Sequence, residues 1–290
     1  MLDNSRTTSP DEQPLPKGAA APLPIRNARR RLATGDSIFW REVGDQRPPL
    51  ALLHGNWTDG SEWEALMAAY GPYGTCMAPD LLGFGESEAI APKGLTIAAQ
   101  VAALDELFRM LRWDQVWLVG NGIGAWTALT YGVTHPDRVG GIVVMDPEGL
   151  SLRGPAAKQQ RRQLRAARSP LALATITLLK PLMGRRPSVQ RTLALRQNLR
   201  QFPQTAQLLL RSRLALAAEL LDERLQGVPF PVVLLEGEQP DPITSARGDA
   251  LTLAVPHLRR ERLQTGDRAF WQTEAPAIAA QLHQIVAPTP

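Results

Sequence analysis

Leu50, Ala51, Leu52 and Leu53 form an unbroken apolar run closed by His54-Gly55, the pattern of a strand buried on both faces. Comparable runs occur at 74–78, 116–119, 141–145 and 231–236. Two short strands are expected at 30–32 and 37–43, joined by the turn Thr34-Gly35-Asp36, and a last one at 258–264. Between them the apolar positions change to helical spacing. Trp63, Leu66, Met67 and Tyr70 share one helix face within 61–70, and 95–111 is strongly amphipathic. A helix over 125–134 ends at His135-Pro136-Asp137, and two more are expected at 245–254 and 272–285. About eight strands alternating with helices predict an α/β protein, a mostly parallel sheet with helices on both faces.

The alternation stops after Asp146. Residues 152–226 hold helical periods alone, at 156–168, 171–183, 188–202 and 203–221, with Pro181 and Pro203 as breaks. An all-helical block therefore interrupts one sheet, which divides the chain into a core of 28–150 and 227–290 and an insert of 151–226. Residues 1–27 are rich in Pro, Ala, Ser and Thr without periodicity and read as a disordered tail.

Composition sharpens this picture at three points. With 290 residues and 44% hydrophobic content, the chain can bury a sizeable core. Its single cysteine, Cys76, lies in an apolar run and excludes both a disulfide and a cysteine-based metal site. The start of the chain has no charged region followed by an apolar run, and the longest mostly apolar stretch, 171–179, is far short of the roughly 20 residues that span a bilayer. A cytoplasmic setting is expected. The insert holds fifteen Lys/Arg against Glu219, Asp222 and Glu223, so it carries +12 and the remainder −8 within a formal +4.

The run Val116-Trp117-Leu118-Val119-Gly120-Asn121-Gly122-Ile123-Gly124 reads as a strand, a glycine-rich turn and a helix start. This is the shape of a nucleophile elbow, whose middle residue is a serine in the G-x-S-x-G form. Here the middle residue is Gly122. The order His54-Gly55-Asn56, Pro79-Asp80-Leu81-Leu82-Gly83-Phe84-Gly85-Glu86-Ser87, the elbow, His135-Pro136-Asp137-Arg138-Val139, Asp146-Pro147, a helical insert and Gly237-Glu238-Gln239-Pro240-Asp241-Pro242 resembles the α/β-hydrolase superfamily. Gly-Asn-x-Ile-Gly is most similar to its epoxide hydrolase and dehalogenase branch, in which x is an aspartate nucleophile. The resemblance implies an α/β-hydrolase fold with a helical cap inserted after the sixth strand and roofing the pocket.

The catalytic parts of the resemblance do not carry over. A working triad needs a nucleophile, a histidine base and a carboxylate that orients it. Gly122 stands at the nucleophile's place and Gly266-Asp267 at the histidine's. The acid's register falls on Pro240, leaving Asp241 one residue later, or Asp146 after the sixth strand, as candidate acids. His54 begins the oxyanion loop, His135 caps a helix end, His257 precedes an edge strand and His283 lies inside the last helix, so none is taken as the base. The resemblance implies that the backbone N–H groups of Asn56 and Ile123 converge as an oxyanion hole at a helix N-terminus. Either that hole binds a carbonyl or small anion without turning it over, or the pocket is filled by Trp57, Trp63 or Trp126.

No cofactor and no metal are expected, because aspartates scattered at 146, 241 and 267 lack a ligand spacing. Arg161, Arg162, Arg165 and Arg168 fall on one helical face of the cap. That face reads either as a solvated surface or as a contact for an anionic membrane or an acidic protein partner; no aromatics interleave the arginines, against nucleic acid. The expectation is a hydrolase-fold protein without hydrolytic activity that binds a small ligand, a membrane surface or a partner. Two alternatives stand beside it: a hydrolase of ester- or epoxide-type substrates using Asp241 or Asp267 with a bound water, and a scaffold docking through its basic cap. The oligomeric state stays open.

Overall fold

The computed structural model describes residues 23–46, 48–89, 95–171, 174, 186–210, 213–264 and 269–286. Eight strands form one sheet: β1 (Arg26–Arg31), β2 (Ser37–Val43), β3 (Leu50–Leu53), β4 (Cys76–Pro79), β5 (Val116–Asn121), β6 (Val139–Met145), β7 (Val232–Gly237) and β8 (Arg259–Leu263). Their spatial order is β1-β2-β4-β3-β5-β6-β7-β8. β2 runs antiparallel to β1 and β4, and every pair from β4 onward is parallel. β1 begins within what the pattern read as tail and starts four residues earlier than expected. Five of its six residues are exposed and four are arginines, so this charged edge strand carries no apolar period to read.

The core helices are α1 (Glu64–Tyr70), α2 (Ile97–Met110), α3 (Ile123–Thr134), α8 (Pro242–Ala254), α9 (Phe270–Thr273) and α10 (Ala275–Val286). Between β6 and β7 lie α4 (Gly154–Arg168), α5 (Pro187–Gln201), α6 (Pro203–Leu209) and α7 (Arg213–Ala217). The helix expected over 171–183 falls almost wholly outside the described residues. The single helix expected over 203–221 is two: α6 closes at Leu210, whose φ of −111° and ψ of 19° leave helical geometry, and beyond α7 the Leu221 N–H donates to Gly149 O at 3.0 Å, turning the chain back onto the core. Among the described residues no helix is long and apolar enough to cross a membrane.

Strand alternation explains why both faces are covered. Leu50 and Leu52 of β3, Val119 of β5, Val143 and Met145 of β6 and Val233 and Leu235 of β7 pack with α1, α9 and α10. Their neighbours Ala51, Leu53, Leu118, Ile142, Val144, Val232 and Leu234 face the other way, against α2, α3 and α8. Trp63 belongs to the first layer, 5.8 Å from Trp271, and does not fill the pocket.

The chain steps from β3 outward to β4 and then crosses back over β3 to β5. β3 and β5 are neighbours with Leu53 opposite Gly120, so the loops leaving both strands meet at one point. That is the topological switch of the sheet, where α/β proteins hold their ligands.

Candidate functional site

Gly122 links β5 directly to α3 with φ 53° and ψ −115°. Its N–H donates to Met145 O at 3.1 Å, and its carbonyl accepts from Trp126 N at 3.1 Å and Glu148 N at 3.2 Å. The turn is therefore held from three directions without any side chain. A Cβ at Gly124 would lie 2.2 Å from Leu53 O, so only glycine lets α3 start this close to β3. The elbow survives as architecture.

The space above Gly122 is occupied by the Asn56 side chain. A Cβ on Gly122 would sit 2.4 Å from Asn56 Oδ1. The same oxygen accepts from the Ile123 N–H at 2.8 Å. Of the two donors expected to form an oxyanion hole, the Ile123 N–H is therefore bound by a side chain of the loop that was to supply the other, Asn56. Asn56 Nδ2 in turn donates to Glu148 Oε1 at 3.0 Å, Glu148 pairs closely with Arg247 Nη2, and Arg247 Nη1 reaches Asp146 Oδ1 at 2.8 Å. Asp146 holds a left-handed backbone, φ 41°, at the start of this loop. Burial pushes the Glu148 carboxyl up, offset in part by the Arg247 charge and the Asn56 amide. Arg247 is held further above its ordinary value by Glu148 and Asp146, which outweigh its own desolvation.

The two candidate acids that can be placed are occupied in other ways. Asp146 is the partner of Arg247. Asp241 is the N-cap of α8: its carboxylate accepts from Ile243 N at 3.0 Å and Thr244 N at 3.4 Å, with Pro242 in the first turn. Asp267 lies outside the described residues. The four histidines stand apart from the pocket. His54 is fully buried, its Nε2 accepting from Leu81 N at 3.0 Å and its Nδ1 3.0 Å from Gly55 O, so both ring nitrogens are used. Burial lowers its pKa, and the ring stays neutral. His135 lies 4.0 Å from Asp105, His257 3.4 Å from Phe230 O, and His283 stacks on Tyr73 at 4.8 Å.

Glu62 is a site residue that sequence reasoning passed over. Its carboxylate accepts from the Gly55 N–H at 2.6 Å and from Asn121, and burial pushes its pKa up to about 8. It fastens the β3 loop to the elbow from behind. Glu148 and Arg247 were missed as well. Glu148 follows Asp146 just beyond β6, which could have marked it, but nothing in the spacing pairs it with an arginine on α8. Among the described residues no group of three or more His, Cys, Asp or Glu is placed to hold a metal.

Above Gly122 lies a cavity of about 770 Å³. Trp57, Trp126 and Trp271 line it without filling it, together with Leu164 of α4, Leu195 of α5 and Arg247 of α8. The insert is tied down around it: Thr205 Oγ1 donates to Asn56 O, Trp126 Nε1 to Glu219 O at 3.1 Å, and Ser151 N to Asp222 Oδ1 at 3.1 Å. Arg161, Arg162, Arg165 and Arg168 are exposed on α4, and Arg161 alone of the four also borders the cavity.

Comparison with known proteins gives the family and the fold. The family model of the alpha/beta hydrolase family matches residues 50–281. A haloalkane dehalogenase of Bradyrhizobium diazoefficiens is 32% identical over 119 residues, 41% of this chain and 38% of that protein. The rat 1-acylglycerol-3-phosphate O-acyltransferase ABHD5 is 29% identical over 184 residues, 59% of this chain and 50% of that one. The chain thus spans about half or less of the length of these curated relatives. Among solved structures, Est816, described as an N-acyl homoserine lactone degrading enzyme, superposes with a TM-score of 0.68 over 90% of this chain and 99% of that chain at 18% identity. With its eight-stranded sheet, its elbow and a family match over most of its length, this chain belongs to the alpha/beta hydrolase family.

Proposed function

We propose that this protein binds a small ligand in the cavity above the elbow and does not hydrolyse it. The observation that carries this reading is the Asn56 side chain, which occupies the space above Gly122 and takes up the Ile123 N–H. Covalent hydrolysis needs an attacking group, a base in hydrogen-bond reach and donors for the oxyanion. Gly122 has no attacking atom, no histidine lines the cavity, and the Ile123 donor is engaged. Asp146 and Asp241 are consumed by Arg247 and by the α8 cap, which argues against either as a base toward water. Relatives that bear the names of hydrolases and of an acyltransferase support the pocket as a place for small organic molecules, with the chemistry subtracted.

The test is turnover by the purified protein on nitrophenyl esters and an epoxide panel. The expected result is a rate indistinguishable from buffer. Turnover that disappears in Asp267→Ala would establish an unorthodox hydrolase and remove this reading.

A further inference from the structure

The cavity differs in character from floor to rim. On the core side its lining holds the carboxylates of Asp146, Glu148 and Asp241 with the Arg247 guanidinium, which is bound by both Glu148 and Asp146. Its walls are predominantly aliphatic and aromatic where the insert meets the core, with Leu150, Leu164, Leu195, Leu220 and Trp126 among them. Its rim is cationic. Arg161 of α4 and Arg191 of α5 both border the cavity and are both exposed. Neither forms an ion pair with an acidic side chain among the described residues. Lys158, Arg162 and Arg165 adjoin Arg161 and line a second, smaller cleft with it.

Resting on the non-hydrolytic reading above, we infer that the ligand is a single-chain amphiphile with an anionic head group. The alkyl chain lies along the apolar walls and the head group is held at Arg161 and Arg191. Three considerations set this class and orientation. A cavity of about 770 Å³ is within the range that encloses a drug-sized molecule. Apolar walls at the junction of insert and core favour a chain without hydrogen-bonding groups, because burying unpaired polar atoms there is costly. The charge gradient fixes the direction, since an anion on the core side would face three carboxylates, Asp146, Glu148 and Asp241, against the one cation Arg247, whereas at the rim it meets Arg161 and Arg191 on adjacent insert helices, which have no ion-pair partner among the described residues. Those two helices pack on each other, with Arg196 Nη1 donating to Ala167 O at 3.1 Å, so the two arginines are carried by one body.

The probe is dodecanoate, with dodecanol and dodecyltrimethylammonium as neutral and cationic comparators of equal chain length, followed by calorimetry and by the fluorescence of Trp57, Trp126 and Trp271. Dodecanoate is expected to bind saturably, about three- to tenfold more tightly than dodecanol, as two solvent-exposed charge pairs allow, and the cation most weakly. Arg161→Glu with Arg191→Glu is expected to remove the preference for the acid and leave dodecanol unchanged. Leu164→Trp, which narrows the cavity, is expected to weaken both. A monomeric acid and vesicles of phosphatidylglycerol supply the same chemistry from two sources, and vesicle co-sedimentation is run beside the calorimetry. Equal affinity for acid and alcohol overturns the head-group assignment and leaves the binding reading standing. No saturable binding of either chain by folded protein overturns both. Co-sedimentation with vesicles that persists in Leu164→Trp, without a preference for the monomeric acid, overturns the cavity as the site.

Discussion

At the scale of single residues the site turns on Gly122 and Asn56. Restoring a side chain at 122 requires both a backbone that L-residues rarely adopt and a new occupant of space held by Asn56 Oδ1. Gly122→Ser is expected to destabilise the protein by about 1–3 kcal/mol and to restore no ester turnover. The two causes separate in a urea-unfolding double-mutant cycle with Asn56→Ala. The pair is expected to be less destabilised than the sum of its members, because the clash is shared, and strict additivity would show that Asn56 does not obstruct position 122. Glu62 yields a pH prediction with a defined sign. Its folded pKa of about 8 lies above the ordinary 4.5, so across that interval the folded protein keeps a proton that the unfolded chain has released. Stability therefore falls as pH rises from about 4.5 to about 8 and levels off above it. Glu62→Gln, which retains an acceptor for the Gly55 N–H, is expected to flatten part of that decline in unfolding curves recorded at stepped pH. An unchanged slope would mean that the Glu62 carboxyl titrates normally.

At the scale of elements, α8 gives Asp241, one of the candidate acids, a structural role. Asp241 sits one residue beyond the acid's register, and that offset is what a helix cap requires: side chain on the Ile243 and Thr244 N–H groups, proline next, helix following. Asp241→Ala is expected to cost about 1 kcal/mol by thermal unfolding, the usual loss for an N-cap. Core elements were legible from the chain because their periods are strong. β3, β4, β5, β6 and β7 are buried along nearly their whole length, and α2 starts at Thr96, whose side chain accepts from Ala99 N. The elements misjudged are those whose limits are set by contacts from elsewhere. β1 exists through its pairing with β2, from Arg26 opposite Glu42 to Arg31 opposite Ser37. The division of the helix expected over 203–221 goes with ties from the insert to Gly149, Trp126 and Asn56.

At the scale of the whole molecule, a polar chain runs from the elbow through the β3 loop and the β6 loop to α8: Ile123 N–H, Asn56, Glu148, Arg247, Asp146. Arg247 is its only cation and is buried. Arg247→Met leaves two carboxylates facing each other without a counter-charge and is expected to cost about 3–5 kcal/mol of unfolding free energy, whereas Arg247→Met with Glu148→Leu and Asp146→Asn is expected to recover most of it. Failure of the triple variant to recover would place the role of Arg247 in packing and not in charge. The sequence by itself determined the sheet, the helical insert, the elbow turn, the absent side chain at 122 and the basic bias of 151–226, because each is a local property of composition, spacing or backbone freedom. The tertiary structure alone decided which side chains gather above the elbow. Asn56 and Gly122 are 66 positions apart and Glu148 and Arg247 are 99 apart, and such pairings depend on where the crossover from β4 to β5 returns the chain and which loops it brings to one edge of the sheet. No periodicity records that, nor that the Asn56 side chain takes up the Ile123 N–H.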